Sequence, residues 1–219
     1  MKVLPKLIAL IVGTGIALAG SLASAATPEE NYTQGLIAWE ERGDPVTAIP
    51  PLRLAAEKGH AAAQALLAYL LDYSDEDAEA AALYRKAAEQ GDADGMFGLA
   101  TFYVGGDGGL KHDLGEALRW MTAAAEKGHP QAIIALSQGY SIGSFGLKPE
   151  QKDSAEALKW TRAAIELDHV PSMERMVQAL RTGGLGLQPD LAAAQELETK
   201  LNKLKGVDPN AKKKRRKRL

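Results

Sequence analysis

The chain has 219 residues, a formal net charge of −2, 46% hydrophobic residues and no cysteine. That size suits one domain with a core of its own, and the missing cysteine excludes disulfide staples, thiol catalysis, redox motifs and cysteine-based zinc sites. The near-neutral total hides an asymmetry: of 26 basic residues two precede residue 7 and seven fill positions 212–218, which leaves 17 in the body against all 28 acidic ones.

The amino end reads MKVLPKLIALIVGTGIALAGSLASAATPEE. Lys2 and Lys6 flank the start of an apolar run from Leu7 to Leu18, and the segment closes on small residues, Ala23, Ser24 and Ala25. This is the layout of a secretory signal peptide over residues 1–25, with cleavage expected between Ala25 and Ala26. The alternative is a retained membrane anchor, but a spanning helix wants about 20 apolar residues and this run is shorter and rich in glycine. The mature chain is therefore expected in the periplasm or outside the cell, held by packing alone.

The body, residues 26–205, repeats itself. LRLAAEKGH (52–60), LYRKAAEQGD (83–92) and WMTAAAEKGH (120–129) end alike, and WTRAAIELDH (160–169) follows them with Asp168 in the glycine position. The markers Gly59, Gly91, Gly128 and Asp168 are spaced 32, 37 and 40 apart, periods that mean stacked supersecondary units. Each segment reads as a helix closed at its C-terminal end where a left-handed residue fits best. After each marker comes a further helical pattern, with the loop glycines Gly106, Gly143 and Gly183 in register, as are Ala48, Ala80, Ala117, Ala157 and Ala194 of the following helices. LLDYSDEDAEAAAL (70–83) lacks those loop glycines, so its inter-helix loop should be shorter or differently turned. No segment shows the alternation of a strand.

The pattern L-small-x-x-Y-x-x-G at 99–106 and 136–143, with W-x-x-A-A-A-E-x-G-H in the neighbouring helix, resembles the Sel1-like repeats, relatives of the tetratricopeptide repeat. The resemblance covers about Asn31 to Lys205. It implies an all-α fold, an α-solenoid of about five antiparallel helix pairs, serving as a non-catalytic adaptor of the cell envelope. The last unit, PSMERMVQALRTGGLGL (171–187), lacks the aromatic anchor, as a capping unit often does. Some exported relatives are linked to penicillin binding and hydrolysis, which makes a hydrolase the alternative from another class; those relatives are cysteine-rich and this chain has none.

GYSIG (139–143) spells G-x-S-x-G, but a nucleophilic Ser141 needs a preceding strand, an oxyanion hole and a base. Here a helix precedes it and its glycines belong to the repeat. His60, His129 and His169 share one repeat position near a helix start, too far apart to hold a common metal, so a capping or surface role is expected of them. His112, with Asp107 and Asp113, sits in a glycine-rich loop that matches neither an EF-hand nor a phosphate loop. Ser-x-x-Lys is absent from the chain. No catalytic residue, metal or cofactor follows from the sequence.

Binding remains. Counting from the markers, offsets +4, +8, +11 and +12 of each unit's first helix share one arc and carry the recurrent Ala, Leu and Tyr. Offsets +3, +7 and +10 share the opposite arc. Its residues vary: Tyr69, Asp94, Thr101, Gln131, Gln138, Arg175 and Gln178 are the candidate partner-binding positions, on the first helices that line a solenoid's concave side. The end of the chain, 206–219, reads as a disordered arm with Lys212, Lys213, Lys214, Arg215, Arg216, Lys217 and Arg218. Without interleaved aromatics it offers no sequence-specific nucleic-acid readout. It suits an anionic lipid or polysaccharide surface, and binding through this arm alone is the other alternative.

Overall fold

The structure, a computed structural model, describes residues 26–206. The proposed signal peptide and the basic run at 212–218 lie outside them. Ten α-helices follow one another: α1 (Pro28–Arg42), α2 (Pro45–Glu57), α3 (Ala61–Asp72), α4 (Asp77–Glu89), α5 (Ala93–Gly105), α6 (Leu114–Glu126), α7 (Pro130–Ile142), α8 (Ala155–Glu166), α9 (Val170–Thr182) and α10 (Leu191–Leu204). A 3-10 turn, Pro149–Asp153, interrupts the α7–α8 connection. Each helix packs on the next, giving five successive pairs, and the odd helices α1, α3 and α5 also touch one another directly. Among the described residues there is no strand, and no helix is long and apolar enough to cross a membrane. The chain is an all-α solenoid, as its spacing predicts.

The turns explain the period. Gly59, Gly91 and Gly128 hold φ of 85°, 87° and 84°, just past the ends of α2, α4 and α6. The left-handed residue reverses the chain, and the following amide bonds back to a carbonyl of the last turn, as His129 N does to Ala124 O at 3.1 Å. Asp168 takes the same role at φ 54°, because a short polar side chain tolerates this conformation best among residues that carry a Cβ. The connection without glycines, residues 73–76, is shorter than those after α5, α7 and α9 and turns through Asp75 at φ 62°.

Burial follows the helical arcs. Ala63, Leu67, Leu70 and Leu71 of α3 are buried, as are Leu99 and Phe102 of α5 and Leu136 and Tyr140 of α7. Small residues set the closest approaches. A Cβ on Gly95 would stand 2.9 Å from Ala88 N in α4, and one on Gly35 would press on Leu52 of α2. Buried polar groups are paired inside the stack: Gln64 Nε2 donates to Ala56 O at 3.0 Å, and Thr161 Oγ1 to Ala157 O at 2.7 Å. With no disulfide available, this dense alanine and leucine packing holds the units together.

Candidate functional site

Helices α1, α3 and α5, with the start of α7, line a groove of about 600 Å³. Its wall is aromatic: Tyr32 and Trp39 of α1, Tyr69 of α3 and Phe97 of α5, with Tyr84 reaching in from α4. Trp39 and Tyr69 meet edge to face with centroids 6.0 Å apart, an arrangement that favours rigid apolar contact area. Gly98 of α5 is buried beneath the Tyr84 ring, which a Cβ there would overlap. Thr101 and Gln131 stand exposed on the floor.

Charge in the groove is of one sign. Glu40, Asp72 and Asp94 line it, and among the described residues no Lys or Arg does. Burial raises the Asp72 carboxyl above its ordinary value, and the nearby Asp77, Asp107 and Asp75 push it further. The Tyr32 phenol is likewise raised, first by burial and then by Asp94, Asp92, Glu40 and Glu29. Burial raises Tyr84 as well, with Asp72 adding to it. The carboxylate field therefore reaches the aromatic wall itself.

Two of the three recurrent histidines, His60 and His129, cap a helix with the side chain, and His169 does not. The Nδ1 of His60 accepts from Ala63 N at the start of α3, and that of His129 accepts from Ala132 N at the start of α7, both at 3.2 Å. Each then reaches an earlier odd helix. His60 stacks on Tyr32 with Nε2 2.9 Å from Glu29, while His129 stacks on Phe97 with Nε2 3.1 Å from Asp94. An accepting Nδ1 places the N–H on Nε2, which donates to the carboxylate. One position thus closes a helix start and fixes the aromatic wall. His169 differs: its Nδ1 meets Ser172 Oγ at 2.8 Å, which in turn meets Ser137 Oγ at 2.7 Å.

That hydroxyl chain borders a second, smaller concavity of about 260 Å³ between α7 and α9, lined also by Ser141, Gln138 and Arg175. Ser141 lies within α7, one residue before its end, on a helix rather than a strand-to-helix turn. The nearby imidazole of His169 bonds Ser172, not Ser141. Arg175 directs its guanidinium inward, to Ser137 O at 3.3 Å, Thr161 Oγ1 at 3.4 Å and Lys152 O. His112 Nδ1 stands 2.7 Å from Val104 O and Asp113 caps α6, so the glycine-rich loop uses its polar groups on the backbone. Among the described residues no group of three or more His, Cys, Asp or Glu is placed to hold a metal ion.

The sequence-derived column therefore divides. Tyr69, Asp94, Thr101 and Gln131 come together in the large groove, and Gln138 and Arg175 in the small one. Gln178 is exposed on α9 and lines neither. Tyr32, Trp39, Tyr84, Phe97, Glu40 and Asp72 were not anticipated. α1 precedes the first marker and offers no offset to count from, and Tyr84 belongs to an even helix; the acidic and aromatic letters near each marker were the available signal.

Three consecutive segments, residues 61–92, 93–129 and 130–169, match the Sel1 repeat. Among solved structures the chain is similar to a protective antigen present in uropathogenic Escherichia coli strains displaying an SLR fold. That likeness has TM-score 0.69 and 26% identity, over 81% of this chain and 38% of the antigen. The chain is also similar to a Sel1 repeat protein from Oxalobacter formigenes, with TM-score 0.62 and 27% identity over 81% of this chain and 73% of that one. It thus spans well under half of the antigen. A comparison with curated proteins gave no match.

Proposed function

From the premise that this chain belongs to the Sel1-repeat proteins, we propose that it is a non-catalytic scaffold of the cell envelope that holds a partner protein in the groove of its odd helices. Sel1-repeat solenoids are generally protein–protein interaction scaffolds, and a stack of helix pairs offers what such a role needs: a long, preformed concave surface. The observation that carries the reading is the aromatic groove itself. Rigid Trp and Tyr side chains on a concave floor are the residue types from which binding hot spots are built, and here they come from successive units of the stack. The envelope setting rests on the amino-terminal signal pattern at residues 1–25.

Thr101→Trp tests this reading, since the exposed floor position receives a bulky ring without disturbing the core. Affinity capture from intact cells should recover an envelope protein with the wild-type chain and lose it with Thr101→Trp, while a chain ending at Ala211 retains it. A second reading is favoured by the seven basic residues at 212–218, which offer an electrostatic grip on anionic lipid or polysaccharide. On that reading the shortened chain loses its ligand and Thr101→Trp does not.

A further inference from the structure

Resting on the groove as the binding surface, we propose that its occupant is an extended basic segment of the partner protein, with an arginine or lysine stem along the aromatic wall and its cationic head in the field of Glu40, Asp72 and Asp94. Three features of the groove carry this, and each restricts the ligand in a different way.

The first is sign. Among the described residues three carboxylates and no Lys or Arg line the groove, although the chain places such cations elsewhere, pairing Lys159 with Glu126 and Arg181 with Glu198 on other surfaces. His129 is near Asp94 and is committed to capping α7 through its other nitrogen. The second is the state of Asp72, an exposed residue of α3: partial desolvation and three neighbouring aspartates push it toward its neutral form, a tension that an incoming cation relieves and an incoming anion worsens. The third is the wall. Tyr32, Trp39, Tyr69 and Phe97 line the groove with those carboxylates, Tyr32 and Phe97 each carrying a histidine on one face, and a guanidinium or ammonium over an aromatic face gains about 0.5–2 kcal/mol depending on desolvation. A purely apolar ligand would take the exposed Glu40 and Asp72 carboxylates out of water without supplying a compensating charge, which is costly. An acidic one meets like charge. A basic side chain satisfies both surfaces at once, its methylene stem on the rings and its head at the acids. The groove runs across several units, so the ligand is an extended stretch rather than a single residue.

The test uses the full chain and a random dodecapeptide display library. Binders are selected on wild type after depletion on Thr101→Trp, which removes peptides held by the terminal basic run or by other faces. Enrichment of sequences with two or more Arg or Lys supports the proposal. The best peptide, measured by fluorescence anisotropy, should then lose about threefold in affinity on Asp72→Asn, about threefold on Asp94→Asn and about tenfold on both, in the range for partly exposed charge pairs. Its affinity should also fall with added salt. Groove-dependent peptides that are neutral or acidic overturn the basic ligand and leave the scaffold reading standing. A selection that yields no peptide sensitive to Thr101→Trp overturns both. If the basic peptide binds a chain shortened to Ala211 far more tightly than the full chain, the protein's own terminal run is the occupant and the external segment proposed here is wrong.

Discussion

Gly95→Ala is a single added methyl group on which two effects of opposite sign compete. In an exposed helix, replacing glycine by alanine stabilises by about 0.8–1 kcal/mol, because alanine has less backbone freedom to lose. At Gly95 the new Cβ would lie 2.9 Å from Ala88 N and 3.0 Å from Ala87 C, both backbone atoms of α4. Backbone cannot swing aside as a flexible side chain can, so α4 and α5 must part, and overpacking of this kind costs about 1–3 kcal/mol. The steric cost wins, with a net loss of about 1 kcal/mol that lowers Tm by about 2–4 °C in a chain of this size. Gly115→Ala, in the first turn of α6, is the control, since its Cβ would touch only the Asp113 carboxylate, at 3.2 Å. Thermal melts followed by helical circular dichroism compare the two. A Gly95→Ala protein melting at or above the wild type would refute the claim that small residues set the inter-helix spacing.

His129→Ala should lower stability by about 1–2 kcal/mol in urea titrations through loss of the cap and of packing on Phe97, and His129→Asn should recover the capping share. Arg175→Ala should destabilise by about 1–3 kcal/mol, since it leaves the Lys152 and Ser137 carbonyls short of a donor; Arg175→Lys should not restore the loss, because an ammonium cannot span the three acceptors. Burial holds His169 below its ordinary value of 6.5. The unfolded chain therefore takes up this proton first, so the stability present above that value is lost as the pH falls through the lowered one. His169→Gln should flatten the part of the pH dependence of Tm that lies below pH 6.5.

The period of the solenoid was legible because its turns are chemically strict. Gly59, Gly91 and Gly128 recur where only a left-handed residue closes the helix, and Asp168 is the one substitution that the geometry tolerates well. The histidine caps were legible for the same reason, as a fixed position beside a fixed turn. Other features depend on tertiary contact. Gly98 belongs by spacing to the variable outer arc, yet it is buried because Tyr84 of the preceding helix lies on it. Arg175 belongs to the same arc, but its guanidinium is spent on the α7, α8 and 3-10 segments. Helical periodicity gives a side chain's direction from its own axis and says nothing of what a neighbouring helix brings over it. α2 adds a local surprise: it runs through Pro50 and Pro51, residues that read as helix breakers.

The central claim is that partners meet the odd-helix groove rather than the even-helix surface. Site-specific photo-crosslinking in living cells tests it most directly, with the photoreactive residue placed at Thr101 on the groove floor or at the exposed Lys86 of α4. The account predicts a discrete protein adduct from position 101 and none from position 86. An adduct from position 86 with none from position 101 would contradict it.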